Sequence, residues 1–421
     1  MLASKAVPLA YAVEDITALP DRRPPLIGFP TPLVTVSEAA VQHNLATMAA
    51  WCASAGVGIA PHGKTTMNRE LWQRQLDAGA WGITVATPWQ LSVAVEWGVP
   101  RIMLANALVQ PDALRYVAPH AERVLVWADS VRAVQIMDTV LAETAEHAAP
   151  AAQSRLGVLI ELGAPGGRTG ARTVEDALAV AKEVAASTGL RLAGVAGYEG
   201  ALAHDGSDAA LAVVRSYLQR MLDLHDAIDG AGLYQGDAPV ILTAGGSAYF
   251  DVVAEVLAPR RDLAGERGRP VDVLLRSGAY ITHDDGFYSG ITPLRRGPGE
   301  EFRSAIHGWA TVVSRPEPWL VLVDAGKRDF PYDEGLPVPQ ALRRFGEHTA
   351  TPFDGAVATA MNDQHTFVRV PESAVVEVGD VIRFGLSHPC TTFDKWRALP
   401  VVDDVTAETP QVIGLLETAF G

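Results

Sequence analysis

The sequence contains only two cysteines, Cys52 and Cys390, in 421 residues. Two thiols so far apart do not make a disulfide framework, and the chain reads as a protein of a reducing compartment. No apolar run reaches the roughly 18 residues that a membrane-spanning helix needs, so a membrane is not an expected partner. The opening MLASKAVPLAYAVEDITALP lacks a basic start, a long apolar stretch and a small-residue cleavage site. Asp15 and Asp21 argue against a transit peptide, and a cytoplasmic location is expected. Positive charge is scarce: the net charge is −15 and the basic residues are scattered. That balance repels nucleic acid and reads chiefly as a source of solubility. There is no internal repeat, and no low-complexity tract beyond an alanine-rich patch from Ala142 to Ala152, which reads as a helix end and loop.

What is present is length and alternation. The chain exceeds a usual single core, which favours two domains. From Gly56 onward, short β-branched apolar runs alternate with longer stretches of helical period. The runs are VGIAP, GITVAT, RIMLAN, RVLVWA, RLGVLIEL, LAGVAGY, PVILTAG and VDVLLRS, ending near Ser277. Helices are expected over Asn68 to Asp77, Pro88 to Trp97, Val174 to Ser187 and Asp208 to Ile228. Eight strand–helix alternations predict an α/β fold, a TIM-type (β/α)8 barrel. The preceding segment TPLVTVSEAAVQHNLATMAAW reads as a strand leading into a helix beside the barrel. After Tyr280 glycine and proline become dense and long helical runs fade. ATVVSR, WLVLVDAG, HTFVRV and DVIRFGLSH then predict a second, mostly β domain. The expected division is a barrel over 31–290 and a β domain over 291–421 joined by 1–30.

Lys64, in IAPHGKTTM, directly follows the first strand. In a barrel that is the carboxyl end of a strand, where such enzymes build their sites. Desolvation there favours the neutral amine that Schiff-base chemistry needs, whereas a lone lysine by itself reads more readily as a solvated loop residue. The segment TAGGSAYFD after the seventh strand bears on that choice. Thr243, Gly245, Gly246 and Ser247 offer backbone N–H groups and hydroxyls at a helix start, a place for a phosphate dianion, although tight turns use glycine pairs as freely. Arg276, Ser277, Gly278 and Tyr280 follow the eighth strand with further donors. A phosphate site and a strand-end lysine in one barrel point to a phosphorylated carbonyl cofactor.

Arg168, among the glycines of ELGAPGGRTG, is placed to meet a phenolate oxygen, and Tyr198 in GYEG to pack on the same ligand. A structural hydrogen bond is an equal reading for each. In LSHPCTTFDKW, His388 and Cys390 stand one residue apart. An extended segment would turn both to one face and Pro389 to the other. A nitrogen–sulfur pair suits zinc, and two ligands leave positions for water or substrate, as a catalytic site requires. A buried free cysteine beside a core histidine is the other reading. Cys52, on an apolar helical stretch, reads as core. His62 and Thr65 beside Lys64, and His365 in NDQHTF, complete the candidates.

Carrying PHGKT, GRTG, GYEG, AGGS, RSGAY and SHPC, the chain resembles the D-threonine aldolase and D-serine dehydratase group of the alanine-racemase-like, fold-type III pyridoxal-phosphate enzymes over almost its whole length. The resemblance implies that Lys64 carries pyridoxal 5'-phosphate and that Arg168 donates to its phenolic oxygen. It places Gly245, Gly246, Ser247 and Tyr280 on the phosphate and Tyr198 beside the ring. It makes His388 and Cys390 ligands of Zn2+, as in the dehydratases. It further implies a homodimer, in which that pair serves its own or the neighbouring subunit's cofactor. The aldolase branch typically carries aspartate where Cys390 stands, which tilts the choice toward elimination. The lysine motif departs from the family in ending KTTM where many relatives read KTHK. NDQH also stands where an acidic pair before histidine is common, so substrate is less closely fixed than fold and cofactor.

The expected activity is deaminating dehydration of a D-β-hydroxy amino acid, D-serine to pyruvate and ammonia and D-threonine to 2-oxobutyrate. In it Lys64 removes the α-proton and zinc stabilises the departing hydroxide. Rival readings are a D-threonine-aldolase-type cleavage to glycine and acetaldehyde, and a 3-hydroxyaspartate dehydratase needing an extra cation for the side-chain carboxylate. A non-catalytic pyridoxal-phosphate carrier is disfavoured by the β domain with its histidine–cysteine pair. A metal-dependent barrel hydrolase would show no visible cofactor band.

Overall fold

The computed structural model describes residues 5–8, 10–11, 13–146, 154–261, 269–297 and 299–420. The chain divides into two compact units, one of Ala49–Lys64 and Gln75–Gly278, the other of Met1–Met48, Thr65–Arg74 and Ala279–Gly421.

The first strand in the chain, β1 (Leu33–Ser37), belongs to the second unit. The next eight form the parallel sheet of the first: β2 (Gly58–Ile59), β3 (Ile83–Val85), β4 (Ile102–Ala107), β5 (Val124–Ala128), β6 (Leu156–Leu162), β7 (Leu190–Gly197), β8 (Val240–Thr243) and β9 (Val271–Leu275). They fall on the eight expected runs. Every residue of β5 and β6 is buried, because a parallel strand covered on both faces has no wet side and so reads as an unbroken apolar run. The sheet runs from β2 through β9 and back down to β3. Its two ends are joined by a parallel bridge between His62 and Thr84. The Trp81 N–H donates to the Ile59 carbonyl at 2.8 Å and the Thr84 N–H to the Pro61 carbonyl at 2.9 Å.

The interior is packed by Met103, Leu125, Trp127, Leu159, Ile241 and Leu274, each such side chain contributing roughly 1.5–3 kcal/mol when fully buried. Gly194 is required where it stands. Its φ is +149° and a Cβ there would lie 1.9 Å from the Ile241 carbonyl oxygen. The register with β6 slips between Val158 and Leu159 at this point, a bulge that only glycine can occupy.

Helices begin where side chains cap them. Thr87, Thr173 and Ser207 accept from the N–H groups of Gln90, Asp176 and Ala210 and open the helices Pro88–Glu96, Val174–Ala186 and Asp208–Gly230. The helix Val131–Glu146 takes up the start of the alanine-rich patch, and residues 147–152 lie outside the described residues.

The second unit is mostly β. Its strands are β10 (Ile306–Glu317), β11 (Leu320–Val323), β12 (Val338–Arg343), β13 (Ala350–Pro352), β14 (Val357–Met361), β15 (Thr366–Arg369), β16 (Val381–Gly385), β17 (Ala398–Val402) and β18 (Val412–Glu417). The main path runs β13-β12-β16-β10-β1-β17-β18. β1 pairs antiparallel with β10, Leu33 opposite Trp309, and parallel with β17, Val36 opposite Val401. Its sequence places β1 with the barrel region, but both of its faces are buried and its hydrogen bonds go to this sheet instead. Residues 24–26 also join here: Pro25 bridges Gln411 and the Val412 N–H donates to the Pro24 carbonyl at 2.9 Å.

Candidate active site

Lys64 lies in a single 3-10 turn, Gly63–Thr65, at the carboxyl end of β2. Beside it, His62 carries a buried Nδ1 without a hydrogen-bond partner. Burial first, then the positive charges of Lys64, Arg276 and Arg168, push the imidazole pKa well below its ordinary value. The ring is therefore neutral at physiological pH. The same influences show that these three cations converge on one end of the barrel.

Arg276 follows β9 and is buried. Its Nη1 donates to the Thr243 hydroxyl at 2.7 Å, its Nη2 donates to the Gly197 carbonyl, and its guanidinium lies 4.8 Å from the centre of the Trp127 ring. The Thr243 hydroxyl also donates to the Leu274 carbonyl at 2.8 Å. The Thr243 hydroxyl, expected on the phosphate, here braces two strand ends.

The Arg168 guanidinium sits 4.5 Å from the centre of the Tyr198 ring, an arrangement that holds a flexible cation in one place. Tyr198 is pinned from below: its N–H donates at 3.0 Å to the Tyr217 hydroxyl, which donates at 2.5 Å to the Leu162 carbonyl. Glu161 accepts from the Thr169 hydroxyl at 2.7 Å, and burial raises its carboxyl pKa.

The glycine pair makes a specific contact. The Gly245 and Gly246 N–H groups donate to the two carboxylate oxygens of Glu199, at 3.0 and 2.7 Å. Gly245 can turn its amide inward because its φ is +95°. Ser277 braces the loop by donating to the Gly246 carbonyl at 3.1 Å. The expectation of phosphate on these amides thus meets a carboxylate already seated there, an oxyanion held by paired donors. The donors that remain fit pyridoxal phosphate: a strand-end amine, an imidazole nitrogen left without a bond and a guanidinium over a phenol.

In the second unit, His388 and Cys390 do not lie on an extended segment. Residues Pro389–Phe393 form a short helix with His388 as its cap, at φ 45°. Proline at the first helical position starts the turn, since its fixed φ suits a helix and its missing N–H is not needed there. The side chains still meet. His388 Nδ1 lies 2.5 Å from Asp333 Oδ2, and Thr391 donates to Asp333 Oδ1 at 2.8 Å. Cys390 Sγ is 3.4 Å from the Thr65 hydroxyl. Burial works to lower the His388 pKa, but its bond with Cys390 and the charges of Cys390 and Asp333 outweigh it and hold the group at about 9. Asp284 accepts the His388 N–H at 3.1 Å and anchors the segment.

Among the described residues no group of three or more His, Cys, Asp and Glu is arranged to hold a metal, so a metal here would rest on the pair. The donors fit zinc of the open kind: one nitrogen, one sulfur, and a carboxylate behind the imidazole that fixes the orientation of its ring. Tyr280 is buried with its ring 5.9 Å from that of Phe302, and Ser247 follows the glycine pair in the loop after β8. His365 sits exposed in the hairpin between β14 and β15. Cys52 is buried, its thiol pushed up to about 12, and belongs to the core as expected.

Three residues, two in the barrel unit and one in the second unit, carry no sequence signal of their own. Glu199 stands inside the quoted GYEG, but nothing in the spacing says that it bonds the glycine pair. Asp333 lies 55 residues from His388. Tyr217, in the middle of a helix, looks like any core aromatic.

Residues 36–250, just over half of the chain, match the family model "Alanine racemase, N-terminal domain", and residues 305–402 match "Putative serine dehydratase domain". The chain is 27% identical to a D-threonine aldolase of Arthrobacter sp over 412 residues, 94% of this chain and 96% of that protein. It is similar in structure to D-threonine aldolase from Filomicrobium marinum, with a TM-score of 0.76 and 24% identity over 94% of this chain and 96% of that one. It is also similar to D-threo-3-hydroxyaspartate dehydratase, solved as a cysteine-to-alanine variant in the metal-free form, with a TM-score of 0.72 and 20% identity over 94% of this chain and 99% of that one. A histidine-to-alanine variant of that dehydratase gives the same TM-score of 0.72, at 20% identity over 96% of this chain and 98% of that one. At these identities the solved structures share the fold. With more than half of the chain matched by the first model and residues 305–402 by the second, the chain belongs to the alanine racemase N-terminal domain family of fold-type III pyridoxal-phosphate enzymes, joined to a serine-dehydratase-like domain.

Proposed function

We propose that this protein is a lyase of D-amino acids bearing a β-hydroxyl and that it dehydrates them, D-serine to pyruvate and ammonia and D-threonine to 2-oxobutyrate and ammonia. The observation that carries the choice is the His388–Cys390 pair backed by Asp333. In the similar dehydratase, the histidine and the cysteine that were replaced stand two positions apart, as His388 and Cys390 do.

Bound pyridoxal phosphate supplies an electron sink for the charge left when the α-proton departs. This chain's residues do the rest. Lys64 holds the cofactor and, once its amine is free, takes the α-proton from one face. Arg168, steadied on Tyr198, donates to the phenolic oxygen. His62, neutral and uncharged by its neighbours, adds no competing positive charge beside the amine. The loop of Gly245, Gly246 and Ser247, with Tyr280, would receive the phosphate, the two glycine amides only once Glu199 releases them. His388 and Cys390 would hold zinc, a Lewis acid able to stabilise negative charge on a departing oxygen. The reading includes a cytoplasmic homodimer, in keeping with the free thiols and with the family resemblance.

A retro-aldol cleavage is the second reading, favoured by the D-threonine aldolase to which nearly the whole chain aligns. One incubation separates them. D-Threonine should give 2-oxobutyrate and ammonia, and D-serine pyruvate and ammonia. Glycine and acetaldehyde from D-threonine would refute dehydration. Full keto-acid production after exhaustive chelation would refute the metal.

A further inference from the structure

The loop that presents Arg168 is folded around a second arginine, which the reaction above leaves unused. The Arg172 guanidinium bonds four successive carbonyls. Its Nη1 donates to those of Thr169 and Gly170, at 3.0 and 3.2 Å, and its Nη2 to those of Gly167 and Arg168, at 3.3 and 2.7 Å. Carbonyl oxygens turned toward one point repel one another, so a short loop keeps that shape only around a cation that answers them all. A guanidinium can do so because its donors form a fixed planar fork.

Arg172 is itself fastened. Its carbonyl accepts from Arg220 Nη2 at 2.8 Å, from the helix Asp208–Gly230. Two carboxylates grip the loop from neighbouring strand ends. Glu161 of β6 takes the Thr169 hydroxyl at 2.7 Å, and Asp129, just after β5, takes the Gly170 N–H at 3.1 Å. The Ala171 N–H donates to the Glu161 carbonyl at 2.9 Å. Little slack is left: a Cβ on Gly163 would lie 2.4 Å from the Thr169 carbonyl oxygen and 2.5 Å from Arg172 Nη1. The contact of Arg168 with the Tyr198 ring, at 4.5 Å, restrains only the head of its side chain. The bonds from Arg172 fix its root.

We infer that Arg172 is a positioning residue: by gathering the carbonyls of 167–170 it sets the Arg168 guanidinium for the cofactor's phenolic oxygen. This role rests on the pyridoxal-phosphate reading of Lys64 and refines it.

The test is Arg172→Lys, which keeps the charge but offers donors from a single point that cannot span four carbonyls. One readout needs no cofactor. Trypsin cleavage after Arg168, followed by mass spectrometry of the native protein, should be at least about fivefold faster in the variant, with the thermal midpoint as the control for global unfolding. The other is the pH titration of the visible band in the cofactor-loaded protein. A cation on the phenolic oxygen favours loss of the chromophore's proton, so a displaced Arg168 should raise the midpoint by at least about half a pH unit. In an Arg168→Gln background Arg172→Lys should add no further shift, because it acts through Arg168. Should Arg172→Lys not fold, Arg220→Gln, which frees the Arg172 backbone from its helix, is read in its place. Unchanged cleavage, an unchanged midpoint, or an equal shift in the Arg168→Gln background overturns the inference. A parent protein without a visible band refutes the cofactor reading, and this role with it, whatever the cleavage rates.

Discussion

Acid should unfold this protein through two buried histidines of the second unit. His307 in β10 is buried, its Nδ1 has no partner, and burial, aided by Arg383, lowers its pKa to about 3. His283 is buried beside Phe302 and lowered to about 4 by burial and then by Arg295. Both are neutral in the native state, whereas in the unfolded chain they take up a proton below about pH 6.5. The unfolded state therefore binds more protons, and stability, intact above pH 6.5, is lost as pH falls toward the folded values. At pH 5 each histidine costs roughly 1.5 pH units at 1.36 kcal/mol, or about 2 kcal/mol, and the pair about 4 kcal/mol. Asp284 acts the other way. Burial pushes its carboxyl up to about 6 against four backbone N–H donors. It is protonated in the fold while still ionised in the unfolded chain, returning about 1.4 kcal/mol at pH 5. These three groups together give a net loss of about 2.5 kcal/mol between pH 7 and pH 5, and the buried, neutral His62 adds to it in the same direction. Urea unfolding at those two pH values, followed by fluorescence of the buried Trp309 and Trp396, measures it. The double variant His283→Asn, His307→Asn should lose the part of the acid slope, about 4 kcal/mol, that these two histidines supply. If it keeps the full slope, the assignment is refuted.

Other outcomes are equally direct. Lys64→Ala should abolish both the visible cofactor band and the borohydride-trapped adduct, and a band that persists would move the cofactor to another amine. Asp333→Asn should weaken zinc binding about 10- to 100-fold, read by competition with a chromophoric chelator, because the carboxylate no longer orients the His388 ring; unchanged affinity would make the contact incidental. Gly194→Ala should cost more than about 3 kcal/mol, since its Cβ would meet the Ile241 carbonyl. A variant with the parent's melting temperature would deny the bulge its glycine requirement.

The barrel was legible because its strands are covered on both faces and so print as continuous apolar runs, and Lys64 was legible because it ends the first of them. The strands β12, β13, β14, β17 and β18 were not. Pro339, Pro352 and Pro400 stand within β12, β13 and β17, β13 is exposed throughout, and β14 and β18 are short runs broken by alanine or glycine. The histidine–cysteine pair is visible as chemistry, but its backbone is helical and not extended. Pro389 signals a helix start as readily as an extended bend, and the left-handed His388 has no composition cue. Long-range partners such as Asp333 and Glu199 were hidden for a plainer reason: which carboxylate meets which donor depends on the folded path and leaves no periodicity behind.

The ring of strands has a seam, and it falls beside Lys64. β2 has two residues, and past it the circle is joined by the single bridge from His62 and a few bonds around Ile59 and Pro61. A hoop fails first at its clasp, so a substitution that slackens Thr84 or Trp81 should disturb turnover well before it melts the fold. Selection for activity would then police this stretch more strictly than its modest share of the core could explain.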